Sequence, residues 1–190
     1  MATLNSFISP VIKTGIFIVL AAKTPMAISQ SSSAELGPWQ QVASLHHDSV
    51  PVDELPSSIA IHWGNPEGQK LVVITRLSCP WCKAQQSELE KLKDVHIEEY
   101  LLPDIDEKGD IDKKSAAIWC NTDRLQTLNK AFNYEAIPVF DHCDANSLWS
   151  VIDVVQRYSL WTTPILIKES GKYTIGFKNV KNIQKWLEEK

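Results

Sequence analysis

An unbroken apolar run that leads to two closely spaced cysteines constrains the fold of this chain more than any other segment. The run, Leu71 to Thr75, is rich in β-branched residues and predicts a central strand buried on both faces. Pro80 to about Lys93 predicts the following helix, and His96 to Leu102 predicts a second central strand. A strand, a helix and a strand in this order predict a parallel pair joined by a right-handed crossover.

Further segments complete the predicted order of elements. They are a short strand at Ile59 to Trp63, a mainly helical insertion at about 109–160, a hairpin formed by 164–167 and 173–175, and a final helix at about Val180 to Glu189. The apolar stripes of the insertion have helical spacing, which is typical of core positions. The chain is therefore predicted to be an α/β protein, with a central mixed sheet flanked by helices and a helical insertion.

Composition and charge narrow the class of protein. The 190 residues are 44% hydrophobic and 22% charged, which is ordinary for a folded domain and excludes wholesale disorder. Acidic residues number 23 against 19 Lys and Arg, and there is no basic run, so no nucleic-acid partner is expected. Four cysteines are too few for a disulfide-dense mini-protein, but their even number suggests pairing.

Residues 1–29 predict export. This segment lacks acidic residues and contains a short apolar run, Gly15 to Ala22, between two lysines. The run is too short to span a bilayer and matches a secretory signal peptide that is cleaved after Ser29; an uncleaved anchor or a buried helix is the alternative. Residues 30–56 are then expected to be a linker or short arm, and residues 57–190 the folded domain. The mature protein is expected in the periplasm, with no stable membrane insertion.

The candidate chemistry lies in Cys79-Pro80-Trp81-Cys82, at the junction of the predicted central strand and its helix. Two intervening residues at a helix start let both sulfurs meet, and Pro80 suits the first helical position, where no N–H is needed. Cys79 would face the free N–H groups and the positive end of the helix dipole, which favour its thiolate. We therefore predict Cys79 as the attacking thiolate and Cys82 as a more buried resolving thiol.

Two alternatives to redox chemistry remain open for these cysteines. A zinc site would need Cys79 and Cys82 together with two of Cys120, His142 and Cys143, because zinc sites use the same spacing. An inert structural disulfide between Cys79 and Cys82 is the second alternative. The chain has no other cysteine pair at this spacing, and export suits redox chemistry better, so no metal site and no cofactor is assigned.

The other two cysteines, Cys120 and Cys143, lie in the predicted insertion. They are expected to form a structural disulfide, with two unpaired thiols as the alternative. Thr163-Pro164 opens the strand after the insertion, and its proline is either a cis-proline or a trans-proline at a strand start.

The remaining polar residues are given no chemical role. His142 is interpreted as a surface residue. The paired carboxylates at Glu98 and Glu99 and at Asp104 and Asp106 are predicted to lie on solvated faces.

From about Ile59 to its C-terminus the sequence resembles the catalytic domain of the bacterial periplasmic disulfide isomerases, the DsbC/DsbG family. The matching features are the strand before Cys79-Pro80-Trp81-Cys82, the segment Ala117-Ile118-Trp119-Cys120, Cys143, Thr163-Pro164, and the closing hairpin and helix. The resemblance implies a thioredoxin-like fold with a helical insertion, in which Cys79 is the nucleophile and Cys82 the resolving thiol. It also implies that Thr163 and Pro164 form a substrate-facing cis-proline loop and that Cys120–Cys143 is a structural disulfide.

Two features depart from that family. Its members place a dimerisation domain before the catalytic domain, and residues 30–56 are too few for one. Trp81 stands where the family more often has tyrosine. The first departure counts against isomerase activity and makes a reductase or an oxidase the alternative.

The expected function is that of a periplasmic thiol-disulfide oxidoreductase, which reduces or isomerises protein disulfides through the Cys79–Cys82 dithiol. Its expected partners are proteins with disulfides and, by the resemblance, a DsbD-like membrane reductase. The alternatives are a disulfide donor, a dedicated electron carrier for one partner, and a non-redox chaperone or binding module.

Overall fold

The computed structural model describes residues 48–140 and 142–189. The expected signal peptide at 1–29 and the first part of the expected linker lie outside the described residues. Among the described residues, no helix is both long enough and apolar enough to cross a bilayer.

The described residues form a single sheet of five strands. The strands are β1 (Ile61–Gly64), β2 (Gln69–Thr75), β3 (Val95–Leu101), β4 (Ile165–Lys168) and β5 (Tyr173–Ile175). Their spatial order is β1-β3-β2-β4-β5. Only β2 and β3 run parallel, while β1 with β3, β2 with β4, and β4 with β5 are antiparallel. The predicted parallel pair is therefore confirmed, and the sheet as a whole is mixed.

Within residues 48–140 and 142–189, five α-helices accompany the sheet. They are α1 (Pro80–Leu89), α2 (Lys113–Cys120), α3 (Arg124–Phe132), α4 (Trp149–Arg157) and α5 (Val180–Glu188). Short 3-10 helices lie at Val52–Glu54, Ser57–Ile59 and Asn146–Leu148. The helices α2, α3 and α4 all fall between β3 and β4, which confirms the predicted helical insertion.

The central strand β2 is buried on both faces, as its apolar run predicts. Leu71 and Val73 pack in one cluster, and Val72 and Ile74 in another, because successive side chains of a strand point to opposite faces. The first cluster includes residues of α1 and α5, namely Leu89, Ile183 and Leu187. The second includes residues of α4, namely Val151, Val154 and Val155. The helices α1 and α4 therefore cover opposite faces of the sheet.

The described part of the expected linker, residues 48–56, packs against the sheet. Val50 and Leu55 are buried in the same cluster as α4. The Val50 N–H donates to the Gly171 carbonyl at 2.9 Å in the β4–β5 turn. Gly171 has a φ of +83°, and a Cβ there would lie 2.8 Å from the Val50 carbonyl oxygen, so this close approach requires glycine.

Candidate redox site

Cys79 caps the N-terminus of α1, directly after the central strand. Its backbone is extended, with φ −95° and ψ 111°, and Pro80 takes the first helical position. The Cys82 N–H donates to the Cys79 Sγ at 3.3 Å. The sulfur therefore lies beside the free N–H groups of the first helical turn, where the helix dipole favours a negative charge.

Cys82 lies in the first turn of α1 and faces the core. It is 1% exposed and packs with Ile61, Leu101, Ile118 and Leu128. Burial, and then the hydrogen bond with Cys79, raise the pKa of the Cys82 thiol to about 12. Cys82 therefore carries a proton at neutral pH, and the two cysteines of the motif have different environments.

The segment Thr163-Pro164 lies beside the Cys79 sulfur. The Thr163–Pro164 peptide bond is cis, and the Cys79 Sγ donates to the Thr163 carbonyl at 3.3 Å. Pro164 is buried at the start of β4, and its carbonyl accepts from the Gly176 N–H at 2.8 Å. The fold thus brings together two segments that are separated by the whole insertion.

Asp104 anchors the loop between β2 and Cys79. The Ser78 Oγ donates to the Asp104 Oδ1 at 2.8 Å, and the Arg76 Nε lies 3.7 Å from the same oxygen. The Cys79 N–H donates to the Arg76 carbonyl at 3.2 Å. Asp104 was predicted to be solvated, but it is only partly exposed because the loop closes over it.

Exposed aromatic side chains lie near the site, and of these Trp81 belongs to the predicted cysteine motif. Trp81 is 61% exposed and Phe177 40% exposed, with ring centroids 5.9 Å apart. Trp161 is 51% exposed two residues before Thr163. We call Trp81, Phe177 and Trp161 the aromatic surface. Neighbouring exposed apolar side chains on a folded domain are typical of a surface that binds another molecule.

The prediction that Glu98 and Glu99 lie on solvated faces is wrong. Both are strand residues of β3 and point to opposite faces of a sheet that is covered on both sides. Glu98 forms an ion pair with Lys70, with 2.7 Å between the Lys70 Nζ and Glu98 Oε2.

Glu99 is fully buried on the α1 face. It accepts a hydrogen bond of 3.0 Å from the Trp63 Nε1. The Gln86 side-chain nitrogen, when it faces the carboxylate, donates to it at 3.1 Å. Burial raises the pKa of Glu99 to about 7. Gln86 lies one helical turn after Cys82, so α1 links this carboxyl group to the buried cysteine.

Cys120 and Cys143 form a disulfide with 6.0 Å between their Cα atoms. The bridge joins the end of α2 to the segment before the Asn146–Leu148 helix. A disulfide sulfur has no thiolate to offer to a metal, so the zinc alternative that uses these residues is not favoured. His142 is exposed, as predicted.

Comparisons with known proteins identify the fold. No protein-family model matches the sequence, and no curated protein does. A disulfide interchange protein from Neisseria gonorrhoeae is similar in structure, with a TM-score of 0.59 at 22% identity over 69% of this chain and 94% of that chain. ScsC from Proteus mirabilis, in a compact conformation, gives 0.53 at 18% identity over 78% of each chain. A periplasmic thioredoxin-like protein from Salmonella enterica gives 0.54 at 18% identity over 70% of this chain and 91% of that chain.

The chain has a thioredoxin-like fold. The predicted fold class, with its mixed sheet, flanking helices and helical insertion, is thereby confirmed. In this fold the candidate site lies where the central strand β2 meets α1, opposite the start of β4.

Proposed function

We propose that this chain is a thiol-disulfide oxidoreductase that acts on protein disulfides, with Cys79 as its nucleophile and Cys82 as its resolving thiol. One observation carries the proposal. The Cys79 sulfur lies 3.3 Å from the Cys82 N–H at a helix start, and 3.3 Å from the Thr163 carbonyl on the neighbouring segment. The proteins of similar structure include one described as a disulfide interchange protein, which supports the same chemistry.

The exchange begins at Cys79. Its thiolate attacks one sulfur of a substrate disulfide, and the substrate S–S bond breaks as a mixed disulfide forms. The electron pair of the broken bond leaves with the second substrate sulfur as a thiolate, which takes up a proton. Cys82 then loses its proton and attacks the Cys79 sulfur, which releases the reduced substrate. The substrate has gained two electrons and two protons, and Cys79–Cys82 is a disulfide.

The buried state of Cys82 favours isomerisation over release of a reduced substrate. Its pKa of about 12 makes the thiolate that releases a substrate scarce at neutral pH. A mixed disulfide on Cys79 then persists, and a second substrate thiol has time to attack it and form a different disulfide.

Thr163 and the aromatic surface support an extended protein substrate. The Thr163 segment lies beside the sulfur and offers backbone groups, which is how strand addition binds an extended chain. Trp81, Phe177 and Trp161 are exposed close to these two segments and would contact the apolar side chains that an unfolded protein displays.

We propose that the predicted signal peptide at 1–29 directs the protein to the periplasm, an oxidising compartment. A dithiol that works as a reductant there needs electrons from outside. We therefore propose a DsbD-like membrane reductase as the partner that returns two electrons to the Cys79–Cys82 disulfide after each reduction.

Insulin reduction tests the proposal. With dithiothreitol as electron donor, the protein should accelerate the precipitation of insulin B chain, and Cys79→Ala should reduce the rate to that of dithiothreitol alone. His142→Ala, at an exposed position outside the cysteine motif, is the matched control and should keep the full rate. Full activity in Cys79→Ala would contradict the proposal.

The direction of exchange is tested with ribonuclease substrates. The protein should recover more activity from scrambled ribonuclease, which needs isomerisation, than from reduced ribonuclease, which needs oxidation. A faster recovery from the reduced substrate would overturn the isomerase assignment and favour the disulfide donor.

A further inference from the structure

We propose that His62, His96 and Glu98 form a binding site for a divalent transition-metal ion, with Zn²⁺ as the probe. His62 on β1 lies directly opposite Glu98 on β3. His96 precedes Glu98 by two residues on the same strand, so all three side chains share one face. Each offers one ligand atom, and these atoms all lie within 4.8 Å of one another. Imidazole and carboxylate ligands in this combination suit zinc and related ions.

The two imidazole rings already have the spacing of metal ligands. The His62 Nδ1 and His96 Nε2 are 3.3 Å apart. Zinc bonds nitrogen at about 2.0–2.1 Å in tetrahedral sites, which places two neighbouring nitrogen ligands about 3.3–3.4 Å apart. The separation of these two nitrogens therefore equals that of adjacent corners of a tetrahedral site.

A hydrogen bond to the Ser57 carbonyl favours the tautomer of His62 that a metal ligand needs. The His62 Nε2 lies 2.8 Å from the Ser57 carbonyl, which only accepts, so Nε2 carries the hydrogen. In the neutral ring the lone pair then lies on Nδ1, the nitrogen that faces His96. A carbonyl on the outer nitrogen is the arrangement that commonly orients a metal-bound histidine.

Among the described residues, the Nδ1 of His96 is buried and has no hydrogen-bond partner. The His96 ring is therefore positioned by the atom that faces His62 and by packing. Without a metal, the Nε2 of His96 must donate to the His62 lone pair, which leaves a buried acceptor unpaired at Nδ1. A metal ion between the rings replaces that single shared proton.

Glu98 supplies a carboxylate that is held in place. It is buried, and the Ser57 Oγ donates to its Oε1 at 3.1 Å. His62 is exposed, so a water molecule can reach the fourth position that three protein ligands leave open.

The site is separate from the candidate redox site. Glu98 pairs with Val72 and therefore lies on the α4 face, whereas α1 packs on the opposite face. His96 pairs with Lys70, near the start of β2, whereas Cys79 follows the end of that strand. Metal binding and thiol chemistry can therefore be measured independently, and a result that contradicts one proposal does not contradict the other.

Calorimetric titration with Zn²⁺ tests the proposal. The full chain with Cys79→Ser and Cys82→Ser is used after treatment with a chelator, because a free dithiol also binds zinc. We expect one ion per chain, and His62→Ala and His96→Ala should each weaken binding by about tenfold or more. His142→Ala is the matched control and should leave the affinity unchanged. Lys70→Gln should strengthen binding, because it removes a competing positive charge.

X-ray absorption at the zinc edge provides a second readout that does not depend on the variants. The spectrum should show nitrogen and oxygen neighbours only. Sulfur neighbours in the variant without Cys79 and Cys82, or a titration unchanged by His62→Ala, would overturn the proposal. So would the absence of any binding at millimolar Zn²⁺.

Discussion

Cys79 and Cys82 are one helical turn apart and are chemically unlike. The sulfur of Cys79 caps α1 and is partly exposed, whereas Cys82 points into an apolar cluster. The sequence spacing predicts this difference, because a cysteine before the helix and one inside its first turn face different surroundings. What the spacing does not provide is the partner of Cys79, since Thr163 reaches it only through the fold.

This asymmetry predicts selective alkylation. At pH 8, iodoacetamide should label Cys79 in the folded, reduced protein and leave Cys82 unlabelled, because Cys82 is 1% exposed and its pKa is about 12. In denaturant both should react. Peptide mapping by mass spectrometry measures the two rates, and equal labelling of the folded protein would contradict the assigned roles.

Glu99 predicts a pH dependence of stability. Its pKa rises from 4.5 in the unfolded chain to about 7 in the folded protein, because the carboxyl group is buried. Between these values the folded state holds a proton that the unfolded state releases, so the contribution of Glu99 to stability is fully present below pH 4.5 and is lost as the pH rises through 7. The loss is on the order of 3 kcal/mol.

Urea unfolding at a series of pH values measures this effect. Glu99→Gln should remove most of the fall relative to the wild type, because the amide does not ionise and still accepts from Trp63. Parallel curves for the two proteins between pH 4.5 and 8 would show that Glu99 does not titrate as described.

At the scale of elements, local patterns predict the order and type of the strands and helices well. The helix α1 ends at Leu89, earlier than the predicted Lys93, because Leu92 continues the apolar spacing after the chain has turned. Leu92 is still buried against β2. The apolar pattern therefore predicts correctly that Leu92 is a core residue, but it does not predict where the helix ends.

Pairing between elements explains what the sequence left undetected. The sequence predicts that Glu98 and Glu99 are solvated, but both are buried because α1 and α4 cover the two faces of the sheet. His62 and His96 match no spacing motif, because only the antiparallel register of β1 on β3 brings them together. Contacts of this kind depend on tertiary structure, and a single sequence read locally does not contain them.

The Cys120–Cys143 disulfide should stabilise the insertion. The two residues are separated by 23 positions, and closing a loop of that size contributes roughly 3 kcal/mol in the chain-entropy model. Urea unfolding should therefore show a loss of about that size in the double variant Cys120→Ala, Cys143→Ala. A loss well under about 1 kcal/mol would contradict this expectation and would indicate a bridge without a structural role.

For the molecule as a whole, the sheet separates the two proposed sites. The face that carries α1 holds the cysteines and the buried Glu99, and the face that carries α4 holds the proposed metal site. Residues 48–56 close the α4 face, where Tyr100 donates to the Leu55 carbonyl at 3.2 Å. The sequence predicts a sheet covered on both sides because β2 is apolar on both faces. The side-chain contacts on each face depend on how the strands pair, which the sequence patterns do not show.

The redox state of all four cysteines in the cell tests the central claim most directly. Cells that produce the protein are quenched with acid, free thiols are alkylated, and each cysteine is mapped by mass spectrometry. The account predicts that Cys79 and Cys82 are free thiols while Cys120 and Cys143 are bridged, as a reductase or isomerase requires. A stable Cys79–Cys82 disulfide in the same cells, or four free thiols, would contradict it.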